Sequence, residues 1–491
     1  MLYPLAMLFN SAAYILVFLP AAAAGYFTLN HFNQYRFAAI FLGVASLAFY
    51  SIGGLTSLPV LLLSIMVNYG IGTGLSISAP TMAGPRKALL VVGIIFNLCL
   101  LAYFKYTNFF LENVDMALGT NWKIDGLALP LALSFVTFQK IAYLVDSYRY
   151  LTKGYGIVNY GLFVTFFPQL IAGPIVHHAD LVPQFKEKSR RRFRVDNFAF
   201  GLMIFSAGLF KKVVIADTFA QWATPGFDQS ASLTFVQAWI TSLSYTFQLY
   251  FDFSGYVDMA IGSALIFNIN LPINFNSPYR SLSIQDFWRR WHITLSRFLR
   301  DYLYIPLGGN RSGECRTYAN LFVAFLLGGL WHGASWMFVV WGTLHGAALV
   351  IHRLWSRSGL SLPMPVAWFI TFVFVIITWV FFRATDMDSA LKVLTGMSNI
   401  RDGSMQALYH QIRDQPFVLR DYLNMDSSLF AITWLSVATA IVMLFPTSIR
   451  LFKGNQRKPV YAFYAGALFA AAIMPLMSLQ AAPSQFLYFN F

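Results

Sequence analysis

YANLFVAFLLGGLWHGASWMFVVWGTLHGAALVIHR, residues 318–353, is the stretch of sequence from which the fold is inferred. It is long enough to cross a bilayer, since a crossing takes about 20 mainly apolar residues. Between Tyr318 and Leu344 it has no Asp, Glu, Lys or Arg, and His332 lies in its middle, next to Trp331 and among small residues. An ionisable group in such a place is energetically costly and by default marks a functional site. The alternative is a structural histidine that is hydrogen-bonded to a neighbouring helix inside the membrane.

The whole chain has the composition of a polytopic membrane protein. Of its 491 residues, 57% are hydrophobic and 11% are charged, whereas a soluble domain has about 25% charged residues. The sequence therefore predicts one all-α transmembrane domain, residues 1–491, with about 11–12 crossings and a polar interfacial cap at 386–426. The predicted crossings lie near 8–30, 37–53, 58–78, 88–110, 126–145, 157–176, 197–215, 232–268, 318–352, 365–383, 428–451 and 458–478.

The positive charge of the chain fits a membrane protein and does not indicate a nucleic-acid partner. The formal net charge of +14 is spread over short loops, as is typical of cytoplasmic loops that face anionic lipid. If every segment crossed once, the basic loops at 86–87 and 186–194 would lie on opposite sides. The segment 126–145, which leads to Asp146 and contains Gln139 and Lys140, is therefore predicted to be re-entrant or to face a cavity.

A second informative stretch, residues 274–302, predicts one amphipathic helix. Ser283 followed by Asp286 resembles a capping box, so the helix is expected to start there. An apolar stripe that includes Trp288 runs along one side, and Arg289 falls on the other. His292 lies beside the stripe, so a half-buried helix would aim it inward while the arginines meet phosphate or lipid headgroups. The alternative is a surface helix in which the histidine has no function.

Three polar residues interrupt the apolar run 245–258: Gln248, Asp252 and Asp258. Each intramembrane acid costs about 2.5–3.5 kcal/mol on an insertion scale, so both are expected to face a cavity or a partner. At 100° per residue the two carboxylates lie on different helix faces and do not form an acid–base dyad. Pairing of these acids with arginine is the structural alternative.

The sequence predicts neither a metal site nor a disulfide framework. Cys99 and Cys315 lie far apart. His177 and His178 are adjacent, and adjacent side chains point in different directions on a helix. Two further histidines, 345 and 352, are predicted to be interfacial.

Several segments of the sequence, in this order, carry a resemblance to a known family. They are MLFNSAAYILVFLP (7–20), FFPQLIAGPIVH (166–177), YTFQLYFDFSGYVDMAIG (245–262), LPINFNSPYRSLSIQDFWRRWHITLSRFLRDYLYIPLGGNR (271–311), GGLWHGASWMFVVWGTLHG (328–346) and FLYFNF (486–491). In these segments the chain resembles the membrane-bound O-acyltransferase (MBOAT) family, and within it the bacterial alginate O-acetylation (AlgI-like) branch.

The resemblance implies a fold, an activity and partners. The fold would be a ring of transmembrane helices around a thinned centre with a tunnel, in the inner membrane of a bacterium. The activity would be transfer of an acetyl group from a cytoplasmic thioester, acetyl-CoA or another acyl thioester, to an exopolysaccharide such as alginate. A periplasmic SGNH-type acetyltransferase is the expected partner besides membrane lipid, and no bound cofactor is expected.

The resemblance also places two histidines in the active site, and the chemistry agrees with it. The invariant histidine of the family falls on His332 and the second active-site histidine on His292. Acyl transfer needs a base to take a proton from the attacking hydroxyl, and histidine titrates near the working pH. We assign that role to His332, with His292 orienting the acceptor, stabilising charge or sharing the proton. Binding roles are predicted for Trp331, Trp288, Gln248, Asp252, Asp258 and Arg289.

Three other functions remain open from the sequence. A related enzyme of the DltB type would transfer D-alanine to teichoic acid. A transporter would use Asp252, Asp258, Arg289 and His332 as an ion path, although no repeated halves are visible. A scaffold would only recruit a separate acetyltransferase.

Overall fold

A computed structural model describes residues 7–152, 154–171, 173–414, 427–477 and 486–487 of the chain. These residues form helices, turns and loops and contain no strand, which confirms the prediction of an all-α polytopic membrane protein. The α-helices within them are α1 (Leu19–His31), α2 (Tyr35–Gly54), α3 (Leu58–Ile77), α4 (Ala83–Leu118), α5 (Leu133–Tyr148), α6 (Ile157–Thr165), α7 (Phe167–Leu170), α8 (His178–Lys186), α9 (Val195–Phe210), α10 (Asp217–Asp228), α11 (Phe235–Ile266), α12 (Ile284–Arg290), α13 (Ile293–Leu299), α14 (Glu314–His332), α15 (Trp336–Trp355), α16 (Met364–Arg383), α17 (Met387–Ser398), α18 (Ser404–Asp414), α19 (Ser428–Leu444), α20 (Ser448–Phe452) and α21 (Pro459–Met477).

Shorter helical turns join or extend these helices. The π-helical turns are Tyr14–Phe18, Lys211–Ala216 and Arg300–Tyr304, and the 3₁₀ turns are Leu55–Ser57, Pro80–Met82, Lys188–Arg191 and Pro278–Arg280. Six helical segments of the described residues are long and apolar enough to cross a membrane: Tyr35–Ile77, Pro80–Leu118, Val195–Asp228, Trp336–Trp355, Met364–Arg383 and Pro459–Met477. The chain is therefore a multi-pass membrane protein.

Contacts divide the chain into two compact units. The described residues within 1–209, 256–273 and 452–490 belong to the first unit, and those within 210–255 and 274–451 to the second. Helix α11 contributes to both. Both predicted active-site histidines, His292 and His332, lie in the second unit.

The predicted single crossing at 318–352 is wrong, because the chain turns back in its middle. Helix α14 ends at His332, Gly333 is extended (φ −163°, ψ 154°), and α15 starts at Trp336. The side chain of Ser335 caps α15 by accepting a hydrogen bond from the backbone N–H of Met337 at 3.2 Å. Hydropathy could not predict this turn, because the residues on both sides of it are mainly apolar.

Glycines allow α14 and α15 to pack as a tight antiparallel hairpin. A Cβ atom at Gly329 would lie 2.3 Å from the carbonyl oxygen of Phe338 and 2.9 Å from the Cα atom of Gly342. Further along the hairpin, a Cβ atom at Gly346 would lie 3.1 Å from the Cα atom of Phe322. Backbones can approach this closely because glycine has no side chain to separate the two helices. The hairpin therefore fixes where the last turn of α14, with His332, lies against α15.

Two other predicted crossings are shorter than expected. In the segment 126–145, the helix begins only at Leu133, after Ala132 adopts a left-handed conformation (φ 60°). In the segment 157–176, the α-helix stops at Thr165 because Phe166 leaves the helical region (φ −50°, ψ 110°), and Pro168 follows in the next short helix. Such breaks are tolerated at membrane depth where the backbone is buried in protein.

Parts of several predictions lie outside the described residues, including position 172 of the predicted crossing 157–176. Of the terminal FLYFNF segment, only Phe486 and Leu487 are described. Residues 415–426 of the predicted interfacial cap and residue 478 of the last predicted crossing also lie outside the described residues. The described part of the cap forms helices α17 and α18.

Candidate active site

His332 lies at the end of a helix inside a cluster of aromatic side chains. It is the last residue of α14, and only 4% of its surface is exposed. Its ring centroid lies 5.0 Å from that of Trp331, 5.1 Å from that of Trp341 and 5.1 Å from that of Phe382. The prediction that His332 is buried and surrounded by apolar groups agrees with this arrangement, although a helix end replaces the predicted helix middle.

The predicted single helix around His292 is also wrong. Helix α12 ends at Arg290, and α13 begins at Ile293. Between them His292 adopts a left-handed conformation (φ 43°, ψ 53°), which is uncommon for residues other than glycine. The predicted start of the first helix is confirmed, since Ser283 Oγ accepts a hydrogen bond from the backbone N–H of Asp286 at 3.1 Å.

Asn274 compensates for the strained turn. Its side-chain oxygen accepts hydrogen bonds from the N–H and the hydroxyl of Thr294, at 3.1 and 3.0 Å, and lies 3.3 Å from His292 Nδ1. Its backbone oxygen accepts from the N–H of Ile293 at 3.1 Å. These bonds hold a backbone conformation that would otherwise cost free energy, and such strain is commonly found at functional sites. The His292 side chain is fully buried as a result.

Trp331 connects the two predicted histidines. Its ring centroid lies 6.3 Å from that of His292 and 5.0 Å from that of His332. The ring centroid of His292 also lies 4.9 Å from that of Phe253. The structure thus brings His332, His292 and Trp331 into one buried cluster, although 39 positions separate His292 from Trp331 in the sequence.

His345 was predicted to be interfacial, and this prediction is wrong. The His345 side chain is fully buried on α15, and its Nδ1 atom accepts a hydrogen bond from the indole N–H of Trp288 at 3.1 Å. Trp341 packs between His345 and His332, with ring centroids 4.7 Å and 5.1 Å away. The seven-residue spacing of His345 and His352 could not reveal the partner, because Trp288 belongs to a distant helix.

Arg289 lines a large cavity to which residues of α12, α13, α14 and α15 contribute. The cavity has a volume of about 750 Å³, and its apolar wall includes Leu321, Phe325 and Leu349. Five arginines contribute to its lining: Arg289, Arg297, Arg300, Arg353 and Arg357. Trp288 and Ile293, the latter next to His292 in the chain, also line it, whereas His292 and His332 themselves do not.

The cavity has an excess of positive charge. Asp301 lies 2.6 Å from Arg300 and 3.8 Å from Arg297, and Glu314 lies 3.5 Å from Arg353 and also pairs with Arg357. Two carboxylates therefore face four of the five arginines that line the cavity. Such a surface attracts anions, and the guanidinium fork suits phosphate oxygens in particular.

The polar residues of α11 have separate environments. Asp252 is buried and lies 2.7 Å from Lys212, so its partner is a lysine rather than the predicted arginine. Lys212 lies on the π-helical turn that precedes α10, and it also donates a hydrogen bond to Asp217 at 2.8 Å. Gln248 is buried one helical turn before Asp252, whereas Asp258 belongs to the other compact unit.

His177 and His178 do converge, contrary to the argument made from their adjacency. His177 caps α8 from an extended conformation and His178 is the first residue of that helix, so both Nε2 atoms reach one oxygen of Asp146, at 2.7 and 2.9 Å. The backbone N–H of Ala179 donates to His177 Nδ1 at 3.2 Å, so the proton of the neutral ring is on Nε2 and points to Asp146. Hydrogen bonds thus explain this cluster, and the absence of a metal site stays a prediction.

Four residues of the second unit were not given a site role from the sequence: Asn274, Lys212, Trp341 and His345. A lysine within the apolar run 197–215 was a usable signal for Lys212, because intramembrane charges are rare and paired. Asn274 gave no such signal, since its function depends on the strained turn it supports.

Comparisons with known proteins agree with the resemblance seen in the sequence. A family model, described as "MBOAT, membrane-bound O-acyltransferase family", matches residues 87–387. A peptidoglycan O-acetyltransferase of Helicobacter pylori is 44% identical over 99% of this chain and 98% of its own length. A probable alginate O-acetylase AlgI of Pseudomonas aeruginosa is 40% identical over 80% of this chain and 75% of its own. A teichoic acid D-alanyltransferase of Streptococcus thermophilus is 27% identical over 46% of this chain and 58% of its own.

Proposed function

The chain belongs to the membrane-bound O-acyltransferase family, and from that premise we propose that it transfers an acetyl group from cytoplasmic acetyl-CoA to a polysaccharide outside the cytoplasm. The observation that carries this proposal is the pair of buried histidines joined by Trp331. Such a site excludes water, which would otherwise hydrolyse a thioester or an acyl intermediate.

His332 is the general base of the proposed reaction. It takes the proton of the attacking hydroxyl while the hydroxyl oxygen bonds to the carbonyl carbon of the thioester. The C–S bond then breaks, and His332 returns the proton to the leaving thiolate. His292, held by Asn274 on the other side of Trp331, orients the acceptor. Positioned acid–base catalysis of this kind contributes a factor of about 10²–10⁴ in rate.

The arginine-lined cavity is the proposed binding place of the donor. Acetyl-CoA combines several phosphate groups with a long, less polar arm, and the cavity combines five arginines with an apolar wall. Arginine forms bidentate hydrogen bonds with phosphate. Because Ile293, which follows His292 in the chain, is part of the cavity lining, a donor seated there would place its thioester in the neighbourhood of His292.

Removing single arginines tests this placement. In the variants Arg289→Gln and Arg353→Gln we expect the KM for acetyl-CoA to rise about tenfold or more with little change in kcat, since a hydrogen bond to a charged group contributes about 1.5–3 kcal/mol. Steady-state kinetics with purified protein measure this. Acetyl-pantetheine has no nucleotide phosphates, so its KM should not change, and Arg401→Gln, an exposed loop arginine of the same unit, is the matched control. An unchanged KM for acetyl-CoA in both variants would exclude the cavity as the donor site.

The proposed acceptor is peptidoglycan. The chain would lie in the inner membrane of a bacterium, and the acetyl group would reach peptidoglycan through a periplasmic SGNH-type acetyltransferase. The support is the Helicobacter pylori relative, which is named a peptidoglycan O-acetyltransferase and aligns with nearly the whole chain. The relative named a probable alginate O-acetylase supports an exopolysaccharide acceptor such as alginate as the second candidate.

Deletion of the gene in its native bacterium distinguishes the acceptors. Base treatment releases ester-linked acetate, which is measured in purified peptidoglycan and in secreted polysaccharide. We expect the deletion to remove acetate from peptidoglycan and the wild-type gene to restore it. Loss of acetate from the secreted polysaccharide alone would replace peptidoglycan by that polymer. Loss of ester-linked D-alanine, with acetate unchanged, would contradict acetyl transfer and favour the D-alanyl alternative.

A further inference from the structure

Two buried N–H groups near His332 have no hydrogen-bond partner. Among the residues that the structure describes, neither the indole nitrogen of Trp341 nor Nε2 of His345 has one, although the two side chains are 1% and 0% exposed. Buried polar groups in folded proteins are hydrogen-bonded in the large majority of cases. Two unpaired groups in one place therefore indicate a ligand atom that the resting protein does not itself provide.

The Trp288 hydrogen bond decides which atom of His345 carries the proton. An indole nitrogen can only donate, so His345 Nδ1, which lies 3.1 Å from Trp288 Nε1, must accept. The ring is enclosed by aromatic side chains such as Phe374, with centroids 5.4 Å apart, and such surroundings favour its neutral form. The neutral ring then carries its proton on Nε2, so the unpaired atom is a donor and requires an acceptor.

Both donors are near the proposed base. Trp341 and His345 are four residues apart on α15, so they share one face of that helix, and their ring centroids lie 4.7 Å apart. The Trp341 ring meets the His332 ring edge to face at 5.1 Å. Gly342, which follows Trp341, allows α14 to approach α15 closely and so keeps His332 near these two side chains.

We propose that the indole N–H of Trp341 and the Nε2–H of His345 form a two-donor site for the carbonyl oxygen of the acyl donor. This inference rests on the proposed acyl transfer and assigns two catalytic residues to it. An oxygen acceptor is the matching chemistry, because both groups are donors.

The donors act when charge develops on the carbonyl oxygen. As the hydroxyl oxygen bonds to the carbonyl carbon, the electron pair of the C=O double bond moves to the oxygen, and His332 holds the hydroxyl proton. The two N–H groups stabilise this oxyanion without reorganising, because the hairpin and the Trp288 hydrogen bond already hold them in place. The electron pair then returns to re-form the double bond, the C–S bond breaks, and the thiolate takes the proton from His332.

Replacing Trp341 by phenylalanine tests the first donor, since the variant keeps an aromatic ring and loses only the N–H and part of the ring system. In Trp341→Phe we expect kcat to fall about 10²–10³-fold with an unchanged KM for acetyl-CoA, as for the loss of one oxyanion donor. The matched control is Trp239→Phe, which removes an indole N–H that donates to the carbonyl of Met397 at 3.1 Å, and its kcat should remain at the wild-type value. A wild-type kcat in Trp341→Phe overturns the proposal. A lower melting temperature together with a raised KM for acetyl-CoA also overturns it, because that combination indicates structural damage rather than the loss of an oxyanion donor.

Replacing His345 by glutamine or leucine tests the second donor independently. Glutamine can accept from Trp288 and still donate, whereas leucine can do neither. We expect the kcat of His345→Gln to exceed that of His345→Leu by about tenfold or more, and equal values would overturn the assignment. If the wild-type protein transfers acetyl groups and the Trp341 and His345 variants keep its kcat, the two-donor site is refuted and the proposed function is not. If the wild-type protein transfers no acetyl group, the proposed function fails first.

Discussion

The variant His332→Ala is expected to lose acetyl transfer by a factor of about 10²–10⁴ while it remains folded and inserted in the membrane. The reason is that the proposed reaction has His332 as its base, and the variant removes the imidazole whose ring centroid lies 5.1 Å from that of Trp341 and 5.0 Å from that of Trp331. Release of the coenzyme A thiol and formation of a base-labile ester in detergent-solubilised enzyme measure the reaction.

His410 supplies the control for this variant. It is an exposed histidine on α18, and it belongs to the same compact unit without contributing to the aromatic cluster. His410→Ala should keep the wild-type rate and the same melting temperature as His332→Ala. A rate in His332→Ala within a few-fold of this control would remove the base from the proposed mechanism.

The variant Lys212→Ala is expected to be unstable, with a loss of about 3–5 kcal/mol in the free energy of unfolding. It would leave the carboxylate of Asp252 buried and without the ammonium group that lies 2.7 Å away. Water cannot compensate for the missing partner, because only 1% of Asp252 is exposed. Thermal or denaturant unfolding of the solubilised protein measures the loss.

A double variant distinguishes the loss of the ion pair from a general disturbance of α10 and of the π-helical turn before it. Lys212→Met combined with Asp252→Asn removes both charges and should recover a large part of the lost stability, since neutral groups of similar size avoid the unpaired charge. Lys211→Met, at the neighbouring and less buried position, should cost less than Lys212→Ala. If the double variant were no more stable than Lys212→Ala, the charge pair would not be what stabilises this region.

The sequence predicted the features that depend on composition and on local spacing. Apolar length gave the polytopic class, and the Ser283–Asp286 spacing gave the start of α12, which the hydrogen bond between them confirms. His332 and His292 were singled out because a histidine is unusual in an apolar run or stripe. Both are buried in one cluster, and their catalytic roles remain predictions that the experiments above test.

The features that the sequence did not reveal depend on partners that are distant in the chain. The left-handed turn at His292 is held by Asn274, whose backbone and side chain together replace the missing helical bonds. The environment of His345 depends on Trp288, 57 positions away, and that of Asp252 on Lys212. Periodicity describes one helix at a time, so it cannot show which helix faces another.

The hairpin of α14 and α15 illustrates the same limit for an apolar stretch. From the sequence, Gly329 was noted only as one of the small residues around His332, and Gly342 was given no role. In the structure both glycines allow the two halves of the stretch to pack on each other. Because hydropathy averages over a window, a three-residue break between two mainly apolar halves leaves no trace in it. The break matters for function, since it places His332 at a helix end next to Trp341.

The most direct test of the central claim follows labelled acetyl groups across a membrane. Inside-out vesicles from the native bacterium, which keep any periplasmic partner, receive acetyl-CoA with a radioactive acetyl group on the cytoplasmic face. With the wild-type chain we predict base-labile label on polysaccharide inside the vesicles, and with His332→Ala we predict only background label. Equal amounts of internal label in the two preparations would contradict the assignment of His332 as the base of transmembrane acetyl transfer.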